Sequence, residues 1–231
     1  IRRSGKRMGM KHNWKPGTMI YPLPAVLVSC GATPEEYNLF TVAWTGTVCT
    51  NPPMCYISVR PERYSYPIIR RQGEFVINLT TEDLAFATDW CGVRSGRDYR
   101  KFEEMKLTAG VVRAPIVEEA PVCIECRVKE IVPLGSHDLF LAEVVNVQAD
   151  DRYLNPETGK FELDRANPLV YTHGEYFGLG KKIGKFGWSV EKKKKKNKQH
   201  SNNKPKQTIQ QPNVPHCPNC GSTNIKKITT S

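Results

Sequence analysis

The chain lacks a long apolar run: none of its 231 residues sits in a stretch approaching the roughly 18 apolar positions that a membrane-crossing helix needs. A secretory signal is not expected either, because the basic opening IRRSGKRMGMKHNWKPG is followed by no apolar h-region. The first residue is isoleucine, and Met8 or Met10 is the expected natural start. Acid is almost absent from both ends. Residues 1–16 hold six Lys/Arg and no acid, and residues 191–231 hold ten Lys and one Glu. The middle therefore keeps 18 basic residues against 22 acidic ones, so the whole excess behind the net charge of +11 lies in the ends. A domain that tracks nucleic-acid phosphates carries its basic surface on the folded part. That class is disfavoured here.

Eight cysteines raise the question of a disulfide scaffold. Cys30, Cys49, Cys55, Cys91, Cys123 and Cys126 lie in or beside apolar runs, where a free thiol behaves as a small hydrophobe. With no export signal, the expectation is a reducing compartment, the cytoplasm. At this length a core forms without staples.

Short runs rich in Val, Ile, Phe and Tyr, bounded by Gly, Pro, Asn or Asp, predict strands at Ala25–Ser29, Leu39–Thr45, Cys55–Arg60, Phe75–Leu79, Val122–Val132, Leu139–Val147 and Leu169–Thr172. In Val122–Val132 the residues Ile124, Cys126 and Val128 alternate with Glu125, Arg127 and Lys129, the period of a half-buried antiparallel strand. Helical signals are fewer. Thr80–Asp83 offers an N-cap and acids in a first turn, with Gly92 as the expected end. A second short helix is expected over Ser65–Arg71, with Pro67 in its first turn. Many strands and two short helices imply a mainly β barrel with helical excursions. The predicted organisation is a basic extension (1–16), one domain (17–190), a Lys/Gln/Asn-rich disordered linker (191–213) and a short CxxC tail (214–231).

Asn38-Leu-Phe-Thr-Val-Ala-Trp-Thr45 is followed by Cys49-Thr-Asn-Pro-Pro53, Arg63-Tyr-Ser65 and Gly73–Leu79. Then come Cys91-Gly92, Ser95-Gly-Arg-Asp98, Lys101-Phe102, Glu125-Cys-Arg127, Gly135-Ser-His137 and Leu139–Val144. As an ordered set these segments resemble the flavin reductase-like family, whose members have an FMN-binding split barrel, over about residues 17–180. The resemblance implies that Thr41, Ala43, Trp44 and Thr45 lie along the flavin, and it counts Asn38 among the cofactor-binding residues. It also places Arg63 and Ser65 at the phosphate, where a helix start adds N–H donors, and Ser95 and Phe102 in a loop that closes over the cofactor. His137 sits in Gly-Ser-His where such reductases often have Gly-Asp-His near the nicotinamide and flavin, so Ser136 departs from the pattern. Read without the family, Thr41–Thr45 is an ordinary core strand, Arg63 a solvated charge and His137 a polar cap.

What the resemblance implies is an FMN-dependent oxidoreductase. It accepts hydride from NAD(P)H and passes electrons to flavin or another acceptor, as a homodimer with FMN near the subunit interface. No acid–base side chain is assigned, since hydride transfer through flavin requires none. A flavoredoxin-like carrier reduced by a partner protein is the alternative, and Ser136 feeds it. A third class is nucleic-acid or scaffold binding through the tail.

The two CxxC spacings differ in kind. Cys123 and Cys126 lie three apart on a strand, so their sulfurs diverge. Cys217-Pro-Asn-Cys220-Gly221 has the turn residues of a zinc knuckle, but a structural zinc takes about four ligands. A half-site shared with a second subunit, a site using His216 or His200, and a vestige all remain open. The run Lys192–Lys196 reads as a solvated tail or as an anion-binding patch.

Overall fold

The computed structural model describes residues 9–103 and 105–190. The expectations on the lysine run, the linker and the CxxC tail lie outside the described residues. The contacts divide the chain into one unit up to Lys182 and another from Ile183. In the second, the described part ends in a single 3-10 turn at Trp188–Val190.

The first unit is built on a seven-stranded antiparallel sheet. In chain order the strands of the unit are β1 (Leu23–Pro24), β2 (Val26–Cys30), β3 (Asn38–Val42), β4 (Thr45–Cys49), β5 (Met54–Val59), β6 (Glu74–Leu79), β7 (Leu107–Thr108), β8 (Ile116–Val117), β9 (Val122–Pro133), β10 (Asp138–Ala149), β11 (Val170–Thr172) and β12 (Glu175–Phe177). Two helices, α1 (Ser65–Gln72) and α2 (Ala85–Val93), interrupt them. The main sheet runs β3-β2-β6-β9-β10-β5-β4, beside a three-stranded sheet β1-β11-β12 and the pair β7-β8. This is the mainly β split barrel with short helical excursions that the sequence predicted.

Alternation along the strands divides the apolar side chains between two cores. Val26, Val28, Phe75, Ile77 and Cys126 join Ile57, Phe140 and the α1 residues Ile68 and Ile69 in one. Leu27, Val76 and Cys123 point the other way and meet Cys91 of α2 with Val112, Ile116 and Val117 in the second. Both faces of the sheet are therefore covered, and β2 is buried at every position. The sulfurs of Cys123 and Cys126 fall in different cores, as strand geometry requires.

Three local expectations are corrected. The segment Leu39–Thr45 is not one strand, because β3 ends at Val42 and β4 begins at Thr45. These two strands are joined through Ala43 and Trp44, yet they form opposite edges of the main sheet. The sheet must curl until its edges approach, and the chain crosses the seam in two residues. Glu125 does not face solvent with Arg127 and Lys129. It is fully buried, and its carboxylate accepts from the Val111 and Val112 N–H groups, Asn146 Nδ2 (2.7 Å) and Gln148 Nε2 (3.2 Å). Gly92 does not end α2, which runs on to Val93 after a 3-10 turn at Glu82–Leu84. A side chain at Gly92 would place its Cβ 3.3 Å from Thr41 Cβ, so the glycine lets α2 pack against β3.

Candidate functional site

The seam holds a cavity of about 410 Å³. One side is the β3 edge and the corner after it, with Phe40, Thr41, Val42, Ala43 and Trp44. Ser58 and Val59 of β5 line it next, with Arg60, Arg63 and His137. α2 contributes Gly92 and Val93. The corner is held by Ser58 N–H donating to Trp44 O at 2.8 Å. Strand β3 has a sheet neighbour on one side only, which leaves alternate peptide groups of its other edge without a ladder partner. Thr41 is fixed by its hydroxyl, which donates to Thr88 O in α2. The His137 and Trp44 rings are parallel within 3°, with centroids 6.3 Å apart. Burial lowers the His137 pKa, and the charge of Arg60 lowers it further against the opposing pull of Glu62. A planar ring finds here apolar and aromatic walls with peptide groups at one edge.

A second cavity of about 170 Å³ adjoins the first, sharing Phe40, Arg63 and Val93. It is lined by Asn38, Ser65, Ser95, Gly96 and four cations, Arg63, Arg94, Arg97 and Lys101, against one acid, Glu62. Asn38 Nδ2 donates to Ser65 Oγ at 2.6 Å, tying the start of β3 to the start of α1. The first turn of α1 carries no acid, and its Arg70 and Arg71 lie in the last turn. Arg63 Nη1 donates to Gly92 O at 2.9 Å and Lys101 Nζ to Cys91 O at 2.8 Å, so both cations are held in place. Gly96 has room for no side chain, since a Cβ there would meet Asn38 and Tyr64. The donor set of guanidinium, ammonium, hydroxyls and amide suits a phosphate monoester.

The structure thus brings Asn38, Arg63, Ser65 and Ser95 together at the smaller cavity, and Thr41, Ala43, Trp44 and His137 at the larger. Two of the residues singled out from sequence stand apart. Thr45 turns away, its hydroxyl donating to Tyr56 O at 2.6 Å. Phe102 packs on the second core and meets Tyr37 edge-on. Sequence reasoning missed Lys101, which is 3% exposed and whose pKa is lowered to about 8, chiefly by burial with Arg63 adding to it. Its signal was visible as a lysine beside Phe102 in an otherwise polar loop, but nothing local said that it is buried. Asp89, Tyr171 and Tyr176 were missed as well, and they line the larger cavity from α2 and the β11–β12 hairpin. Among the described residues no group of three or more His, Cys, Asp or Glu could hold a metal ion, and Cys217 and Cys220 lie outside them. The six described cysteines are free, and no described helix is long and apolar enough to cross a membrane.

Comparison with known proteins places these features. Residues 18–180 match the model of the flavin reductase like domain. A protein from Archaeoglobus fulgidus described as uncharacterized is 30% identical over 161 residues, covering 68% of this chain and 88% of its own length. An FMN reductase (NADH) from Cronobacter sakazakii is 23% identical over 112 residues, 48% of this chain and 67% of that one. Among solved structures, the flavoredoxin from Methanosarcina acetivorans superposes with a TM-score of 0.72 at 26% identity, over 79% of this chain and all of that one. The chain belongs to the flavin reductase-like family.

Proposed function

We propose that the protein binds FMN and is an oxidoreductase that takes hydride from NAD(P)H and passes electrons to flavin or another acceptor. The observation that carries this reading is the joined pair of cavities. A small cationic one shares Phe40, Arg63 and Val93 with a larger aromatic one, which matches a ring with a phosphate tail. Asn38, Arg63, Ser65, Ser95 and Lys101 hold the phosphate. Thr41, Ala43, Trp44 and His137 surround the ring. FMN would supply the hydride-accepting chemistry, while the chain binds, orients and shields it. His137, with its lowered pKa, stays neutral near pH 7 and adds no positive charge beside a nicotinamide. The family also supports a homodimer, and the free thiols support the reducing environment of the cytoplasm.

A second reading has one specific observation in its favour, the flavoredoxin that superposes over its entire length. On that reading FMN is retained and a partner protein is the electron donor. Ser136, whose hydroxyl lies 2.9 Å from His137 Nδ1 where related reductases often carry an acid, belongs to this case. The absorption spectrum of the purified full chain, oxidised and after anaerobic NADH or NADPH, separates the two. A yellow protein bleached by either nicotinamide is the expected result. A yellow protein bleached only by reduced ferredoxin selects the carrier, and a colourless protein that takes up no FMN removes both.

A further inference from the structure

The larger cavity has a wall to which the FMN reading gives no task. Tyr171 and Tyr176 line it from the β11–β12 hairpin, with Gly174 at the turn and Asp89 from α2. None of these lines the smaller cavity, which meets the larger at Phe40, Arg63 and Val93. A mononucleotide whose phosphate lies in the smaller cavity would enter the larger from that junction, and none of the tyrosine-wall residues is among those the two cavities share.

The wall is braced. Tyr171 and Tyr176 are direct cross-strand partners with ring centroids 5.8 Å apart. His173 (φ 49°) and Gly174 (φ 86°) are both left-handed, as a tight two-residue hairpin turn requires. Tyr21 packs against His173 at 4.3 Å and Tyr171 at 6.2 Å, while β1 pairs with β11 through Leu23 and Tyr171. The Tyr176 hydroxyl donates to Asp89 Oδ1 at 3.3 Å, a long bond to an exposed carboxylate that exchanges readily for a better acceptor. Burial, with the charge of Asp89, pushes the phenol up to about 12, so it stays a donor through the physiological range. Charge is also uneven across the cavity: Arg60 and Arg63 line it along with this wall's single carboxylate, Asp89.

Resting on the FMN reading, we propose that Tyr171, Tyr176 and Asp89 form a subsite for a planar, carbonyl-bearing ring without negative charge, by chemical class a quinone. The tyrosine faces stack on the ring, the Tyr176 O–H donates to a ring carbonyl, and Asp89 repels anions. A quinone held there accepts two electrons and two protons from reduced flavin, its two carbonyls becoming hydroxyls as the flavin returns to its oxidised form.

The test is a binding measurement with no redox step. Oxidised FMN-loaded protein is titrated with 2-methyl-1,4-naphthoquinone and with the anionic 1,4-naphthoquinone-2-sulfonate, read by quenching of tryptophan fluorescence. Tyr176→Phe is expected to weaken the neutral quinone by roughly 2- to 10-fold, the worth of one neutral hydrogen bond. Tyr171→Ala should weaken it further. Asp89→Asn should raise the affinity ratio of the anionic to the neutral quinone by about 2- to 5-fold, the scale of an exposed charge interaction. Equal binding by all variants overturns the proposal, as does a loss of FMN affinity in Tyr176→Phe, which would make the wall part of the flavin's own site. Should the protein take up no FMN, the cofactor reading fails, while the same titration of the flavin-free protein still reports on the wall.

Discussion

Lys101→Met separates what the smaller cavity does for a ligand from what it does for the fold. The ammonium is buried and donates to Cys91 O at 2.8 Å, and burial is the main reason its pKa falls from 10.5 to about 8. That depression corresponds to roughly 3 kcal/mol against the charged form. Between about pH 8 and 10.5 the unfolded chain holds a proton on this lysine that the native protein does not. Native stability therefore rises with pH across that window, and the penalty is complete below it. Methionine removes the penalty and also one hydrogen bond of about 1 kcal/mol, so the flavin-free variant should be more stable than the parent by about 2 kcal/mol at pH 7. Affinity should move the opposite way. A charge-assisted bond to phosphate contributes about 1.5–3 kcal/mol, so FMN should bind about 10- to 150-fold more weakly. Riboflavin, which has no phosphate, should be unaffected. The phosphate is a dianion above about pH 6, so the parent's preference for FMN over riboflavin should hold to about pH 8 and then decline by up to about tenfold per pH unit. In Lys101→Met that decline should vanish. Flavin fluorescence quenching gives the affinities and urea unfolding the stabilities. An unchanged FMN-to-riboflavin ratio in the variant, or a parent profile without a break near pH 8, refutes the reasoning.

Glu125→Gln should destabilise the protein by about 2–4 kcal/mol in urea unfolding, because four donors are aimed at this carboxylate. Burial opposes the charge of Glu125, but the donors outweigh it and lower the pKa below 4.5, so its contribution is present above that value and lost as pH falls through the folded one; the parent should lose stability in acid more steeply than the variant. Phe102→Leu should lower stability by about 1 kcal/mol by loosening the second core, and should change FMN affinity by less than about twofold, since Phe102 lines neither cavity. Cys55 and Cys126 bring their sulfurs within 3.5 Å, but their strands flank β10, two spacings of about 4.8 Å apart, so diamide should form no disulfide between them by peptide mapping.

The strands were legible because each carries its own pattern: alternation in β9 and β10, and continuous burial in β2, where both cores claim the chain. The start of α1 was legible from Pro67 in its first turn, and the structure gives a helix over Ser65–Gln72. What failed was information held by distant residues. Glu125 reads as an outward charge in its own strand, and only the 111–112 peptide groups and the Asn146 and Gln148 amides make its burial tolerable. Gly92 reads as a helix end because its neighbours are silent about Thr41, whose proximity is the actual constraint. Tyr171 and Tyr176 sit far along the chain from the motif at 38–45, and pairing of β11 with β1 and β12 brings them to the cavity.

The break at Ala43–Trp44 ties these failures together. By composition Leu39–Thr45 is one uninterrupted strand, and nothing local forbids that. The interruption is imposed by topology: β2 and β6 take up one side of the order, β10 and β5 the other, so β3 and β4 are left as edges that two residues must connect. A strand that continued through Ala43 and Trp44 would leave β4 unable to pair with β5, forfeiting the Thr45–Ile57 and Gly46–Tyr56 pairings. Breaking there instead leaves peptide groups of the β3 edge unmatched and opens the space beside them. The larger cavity lies where a strand has been interrupted so that the sheet can curl. A substitution that stiffened the corner, such as Ala43→Val, would therefore be felt by the ligand and by β4 pairing together. Protection from hydrogen exchange at Thr45–Cys49 and FMN affinity should fall or hold in step, and a variant that lost one while keeping the other would show that seam and site are separable.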